Sequence, residues 1–311
     1  RRDWFRYGRL FGEMLAAELR RREPGEDARV LRRASTWFED HGFLEDAVRC
    51  AAGGEDEELL ARVLVAHTQE LNSRGRIGEI RRWLDDADPA MLERHPPLAA
   101  MAVWIWALTG DAPRALHALR IAERGTFDGA LPDRSVSLES AVLRGRAALA
   151  RDGLTAMLHD AERAARLEPP GSDWHTMAAL LLGCAQRLTG ATEEAVRCFE
   201  LAARYGRRKE FPGASFALAQ HALLAADEGD WTTAQACTAE AVDMVRSAGL
   251  ERYGPTLAVH VAVARVAMHT GDHGLARACV RRALELYVDP SPVAFPWLAA
   301  QAAIELGRLE L

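Results

Sequence analysis

Small and apolar residues recur along this chain in paired stripes, each pair placed around a turn residue. The turn positions are Gly42, Gly75, Gly110, Asp152, Gly190, Gly229 and Gly271, with Gly307 starting an eighth. Seven residues before them stand Ser35, Thr68, Val103, Gly145, Gly183, Ala222, Ala264 and Ala300, which are mostly small. Five residues after five of them stands alanine, at Ala47, Ala115, Ala195, Ala234 and Ala276. Positions nine and twelve after the turn continue the stripe, as in Leu119 with Ala122 and Phe199 with Ala202. This pattern predicts two helices per unit that meet at small residues and pack at short interaxial distance. Each glycine can close the first helix in the left-handed conformation. Asp111, Asp230, Asp272 and Thr192 are placed to cap the second. Prolines at 96, 132, 169, 212, 255 and 290 punctuate the connections between pairs.

The turns follow one another at 33 to 42 residues. A self-similar helical unit of that length is the mark of a solenoid. The expected fold is all-α, a right-handed α-α superhelix of about seven to eight TPR-like helix-pair repeats. A solenoid grows layer by layer, so 311 residues at 49% hydrophobic need no single large core. Neither end carries the polar capping unit a solenoid requires, so the chain is expected to be a piece of a longer polypeptide whose exposed ends favour self-association.

Candidate chemistry narrows the picture mostly by what is missing. No apolar run reaches the roughly 18 residues of a membrane span, and no signal peptide opens the chain, so a soluble, cytoplasmic protein with no membrane partner is expected. Cys50, Cys198, Cys237 and Cys279 lie at one equivalent position in four units. Stacked units stand about 8–10 Å apart, beyond the roughly 7 Å that a disulfide bridges, so these cysteines read as small space-fillers. His269 and His273 have metal-ligand spacing, but Gly271 and Asp272 break the helix between them, and no metal is expected. The single lysine, Lys209, lacks the glycines and hydroxyl of a phosphate loop, and no catalytic elbow, zinc pair or dinucleotide fingerprint is present. An enzyme is therefore not expected. A net charge of −6 with dispersed arginines argues against direct nucleic-acid contact.

Several segments carry a more specific likeness. Residues 4–15, WFRYGRLFGEML, resemble the segment W-[YF]-R-Y-H-x-L-F-x-x-x-L that follows the nucleotide-binding module in MalT-type ATP-dependent LuxR-family transcription regulators. Residues 32–48, RRASTWFEDHGFLEDAV, are similar to that family's RRAxxWxxxxGxxxEAxxHA pattern, and Arg74-Gly75-Arg76, Arg82-Trp83-Leu84 and His95-Pro96-Pro97-Leu98 follow in the family's order. Gly8 and Cys50 stand where the family commonly has histidine. The likeness covers residues 1 to about 125 by motif and the rest by repeat architecture.

That resemblance implies residues 1–55 as a helical linker after an upstream ATPase module, merging into the first repeat, and residues 56–311 as a TPR-like superhelical sensor domain. It implies ATP in the missing module, no cofactor in this segment, and a DNA-binding module downstream. The segment would then bind a small-molecule inducer or a regulatory protein and shift a population between two states. The alternative is a TPR-type protein-interaction scaffold, such as the regulatory region of a signalling kinase.

In such a superhelix the first helix of each pair lines the concave wall. Projecting positions two, three, six, ten and thirteen before each turn onto that wall selects Trp104, Glu139, Arg146, Arg187, Phe216, Asp227, Arg265, His269, Trp297, Gln301 and Glu305. Aromatic faces beside forked guanidinium groups suit a sugar, an acidic metabolite or a peptide carboxylate. The plainer expectation is that Trp104 and Trp297 pack between repeats and that Arg146 pairs with Glu139.

Overall fold

The computed structural model describes residues 8–207, 211–288 and 295–310. The opening motif residues 4–7, Lys209 and Pro290 lie outside them. Among the described residues the secondary structure is entirely helical, and the chain divides into two compact units at His67 and Thr68.

The first unit holds α1 (Arg9–Arg22), α2 (Glu26–Asp40), α3 (Leu44–Gly53) and the start of α4 (Glu57–Ser73). Helices α2 and α3 pair around Gly42, whose φ of 75° is left-handed as the turn requires. At their crossing Ala47 is fully buried, and the buried Ser35 hydroxyl donates to the Ala47 carbonyl at 2.8 Å. Glu39 gathers Arg62 at 2.5 Å and His67 at 3.0 Å, which joins α2 to α4.

The second unit continues with α5 (Ile77–Asp86), α6 (Met91–Arg94), α7 (Pro96–Leu108), α8 (Ala112–Arg124), α9 (Leu138–Leu149), α10 (Leu154–Leu167) and α11 (His175–Leu188). It ends with α12 (Thr192–Gly206), α13 (Phe211–Asp227), α14 (Trp231–Ser247), α15 (Leu257–Thr270), α16 (His273–Val288) and α17 (Pro296–Glu310). Five pairs, α7/α8 through α15/α16, stack in order, each first helix packing on the next along the series α7, α9, α11, α13, α15, α17. The fold is an all-α helical-repeat superhelix.

Two layers follow from composition. A first helix is covered by its partner and by the first helices on either side, so it is apolar almost all round. In α7 every residue from Pro97 to Ala107 is buried. A second helix buries one stripe only, in α8 Ala115, Ala118, Leu119 and Ala122. The small residues mark the crossings as the spacing predicts. Ala115, Ala195 and Ala234 are fully buried, and a methyl added at Gly183 would stand 2.7 Å from the Phe199 ring.

Details of the turns differ from expectation at four places. Asp152 is not the left-handed residue of its turn, because Ala150 and Gly153 take positive φ there. Thr192 is already helical and Ala191 precedes it without a side-chain cap, whereas Asp111, Asp230 and Asp272 do accept backbone N–H groups of the following helix. Gly307 closes no turn, since α17 runs through it to Glu310. Ala300 faces solvent instead of a partner helix. No helix among the described residues is long and apolar enough to cross a membrane.

Candidate binding site on the first-helix layer

Helices α13 and α17 meet along one line with a constant offset of 81 residues, which sorts the predicted wall residues into three tiers. Near the N-terminal ends Phe216 meets Trp297, rings edge to face with centroids 6.0 Å apart. One turn on, the side-chain amides of Gln220 and Gln301 exchange two hydrogen bonds of 2.9 Å. At the C-terminal ends Arg308 reaches Asp227 at 3.3 Å.

The aromatic tier extends beyond that pair. Trp104 of α7 contacts Phe295 and Trp174, with centroids 6.2 and 6.5 Å away, and Phe295 stacks on Trp297. Trp297 also donates its indole N–H to the Ala148 carbonyl at the end of α9, at 2.8 Å. Edge-to-face and offset contacts of this kind add to area burial. What remains open among these rings, Met177, Leu180 and Tyr253 is a cavity of about 40 Å³.

The ionic tier joins four helices. Arg265 of α15 lies 2.7 Å from Asp227 and 3.1 Å from Glu305. Arg187 of α11 donates to the Gln220 amide oxygen at 2.6 Å and stands 3.5 Å from Asp227. Arg308 bonds Glu305 at 3.0 Å. Three guanidinium groups thus surround two carboxylates at the C-terminal ends of parallel helices, where the negative ends of the helix dipoles favour cations. Glu305 is 2% exposed, and its two arginine contacts offset the cost of burying it. Burial pulls the Arg187 guanidinium below its ordinary value, opposed by Asp227 and Glu305.

The other predicted wall residues lie elsewhere. Arg146 does not pair with Glu139. It is held by Asp160 at 2.7 Å, Glu123 at 3.3 Å and Asp152 at 3.6 Å, which binds α9 to α8 and α10. Glu139 is exposed and pairs with Arg163. His269 is exposed and stacks flat on Trp231, with centroids 3.7 Å apart. The tiers therefore unite Trp104, Arg187, Phe216, Asp227, Arg265, Trp297, Gln301 and Glu305, and leave Arg146, Glu139 and His269 apart.

Sequence reasoning overlooked the most deeply buried ion pair, Arg144 with Glu168. Arg144, fully buried in α9, lies 2.5 Å from Glu168, donates to Ser140 at 2.8 Å and Ser135 at 2.6 Å, and sits 4.3 Å over the Trp174 ring. Asp133 is buried beside it, its carboxyl raised by desolvation and lowered less by Arg144 and Ser135. This cluster ties the long 125–137 connection to the loop before α11. A signal was present: an arginine inside an apolar helix stretch demands a partner.

No activated nucleophile emerges among the described residues. Cys237 and His221 approach to 3.7 Å, but burial pushes the thiol up to about 11 and holds the imidazole below its ordinary value, so both are neutral near pH 7.

Comparison with known proteins adds one thread. No family model matches this chain. It is 25% identical over 140 residues to the HTH-type transcriptional regulator MalT of Vibrio cholerae, covering 40% of this chain and 16% of that protein. It is 24% identical over 103 residues to the MalT of Vibrio parahaemolyticus, covering 33% of this chain and 11% of that protein. The chain thus shows a distant, partial relationship to MalT-type regulators and matches only a small share of their length.

Proposed function

We propose that this chain is the ligand-sensing helical-repeat region of an ATP-dependent LuxR-type transcription regulator, working by binding and conformational relay with no chemistry of its own. The distant MalT likeness supports the regulator context, and the ionic tier supports the relay. Arg187, Asp227, Arg265 and Glu305 come from four successive first helices, so a group that competes for any one of them changes how four repeats stack. The effector enters through its preference for one stacking over the other. A metabolite-sized ligand needs about 300–1,000 Å³, whereas the aromatic tier leaves about 40 Å³, so binding there selects a state in which α17 has moved from α13.

Calorimetric and thermal-shift screening with oligosaccharides, organic acids and amino acids tests this reading. A ligand held at a hundred times its dissociation constant stabilises by about 2.7 kcal/mol. Arg265→Ala should weaken that binding at least tenfold while the helical signal persists. Unchanged affinity removes the ionic tier from the site. The small cavity favours one second reading, in which a regulatory protein is recognised instead; a screen without small-molecule hits but with a stoichiometric protein complex would support it.

A further inference from the structure

A larger cavity borders the aromatic tier through Leu108 and Tyr253, where the start of the second unit meets its late repeats. Gly75, in the turn between α4 and α5, lies in ordinary contact range of the loop after α14, where an added methyl would stand 3.5 Å from the Gly249 carbonyl oxygen. Both glycines take left-handed φ, 70° and 65°. The space beside them measures about 580 Å³, within the range of metabolite pockets.

Three arginines converge on it from separate elements: Arg81 from α5, Arg252 from the loop after α14, and Arg282 from α16. Two of them are braced. Arg81 donates to the Thr109 carbonyl at 3.0 Å, and Arg282 donates to the Glu251 carbonyl at 2.7 Å and to Glu285 at 2.6 Å. Arg252 is exposed and has no ion-pair partner among the described residues. The carboxylates near Arg81, Asp85 at 3.4 Å and Asp111 at 3.8 Å, are not part of the wall. With Arg81 paired to those carboxylates and Arg282 to Glu285, Arg252 is the one cation of the wall left without an acidic partner among the described residues. Ile77, Leu108 and Tyr253 supply an apolar side for an organic body.

We infer that this cavity is a binding site for a small organic phosphate monoester, whose dianion meets Arg252 and the spare donors of Arg81 and Arg282. Planar forked donors held from behind suit a phosphate, because the bonds are charge-assisted and the geometry is set before the ligand arrives. Occupancy joins α5 to α16, elements about 200 residues apart in sequence, and so fixes the closure of the second unit. The site adjoins the aromatic tier, since Leu108 and Tyr253 line both spaces, but it shares none of the ionic-tier residues.

The test is isothermal titration calorimetry of the whole chain with inorganic phosphate, glucose 6-phosphate, ribose 5-phosphate and adenosine monophosphate, at constant ionic strength. Glucose and malate serve as the neutral and dicarboxylate comparisons. At least one phosphate ester is expected to bind saturably below about 1 mM, more tightly than inorganic phosphate, with no binding of glucose. Arg252→Ala should weaken it at least tenfold and Arg252→Glu should abolish it, both variants keeping the wild-type circular dichroism melt. The inference is overturned by absence of saturable binding for all four phosphates at 5 mM, by equal affinity in Arg252→Glu, or by malate binding more tightly than every phosphate.

Discussion

Arg144 and Asp133 show what burial does to single charges. Removing Arg144 leaves Glu168, fully buried, without its cation, and breaking such a pair costs about 3–5 kcal/mol. Arg144→Ala is expected to lower stability by that much in urea titration, where surface changes such as Arg163→Ala cost under about 1 kcal/mol. Asp133 carries the opposite lesson. Its carboxyl is raised in the folded protein, so the folded state holds the proton more tightly than the unfolded one. That contribution is present at low pH and is lost as pH rises from the ordinary aspartate value of 3.8 through the raised one. Asp133→Asn should remove this slope and raise stability near pH 7, as urea midpoints measured across the acidic range would report. Sequence reading could see that an arginine in an apolar helix needs a partner, but not which of Arg144 and Arg146 faces inward. The two are separated by about 200° around the helix, and only the long 125–137 connection, whose path no periodicity encodes, decides the matter.

Among helices, the small-residue crossings carried the most information in the sequence. Gly183 packs against Phe199, which is fully buried, so neither side can give way easily. Gly183→Ala is expected to cost about 1–3 kcal/mol through overpacking, although alanine is the better helix former. Thermal melts of the variant beside Gly78→Ala, where no neighbour lies within 4 Å, separate the two effects. Glycines at 42, 110, 190, 229 and 271 and the caps at Asp111, Asp230 and Asp272 were legible because left-handed closure and N-capping are local events. Gly307 was not, since a glycine can also be tolerated inside a helix, and what keeps α17 helical is its packing on α15. The site was legible only in part. Projection onto an open wall selected positions on the first helices, but which of them touch one another depends on the register between α13 and α17, which no spacing within one repeat contains.

For the second unit as a whole, Trp297 changes the expected thermodynamics. A linear repeat array couples only neighbours and can unfold piecewise. Here the indole N–H of α17 bonds the carbonyl of Ala148, four pairs earlier, and its ring belongs to the aromatic tier. Trp297→Ala is expected to cost about 3–5 kcal/mol. It should also separate the denaturation curves seen by circular dichroism and by fluorescence, which coincide when repeats unfold together. Coincident curves in the variant would show that the late repeats are held by neighbour contacts alone.

The fixed offset of 81 residues between α13 and α17 has a consequence for how this helix can shift. Sliding α17 by one residue turns it by about 100°, which replaces Trp297, Gln301 and Arg308 on that face by Leu298, Ala302 and Leu309. Gln220 and Asp227 would then confront aliphatic groups and lose their bonds to α17. Gradual slippage is thereby penalised at every intermediate step. Under the relay proposed above, α17 would therefore pass between a seated and a released position without stable registers in between.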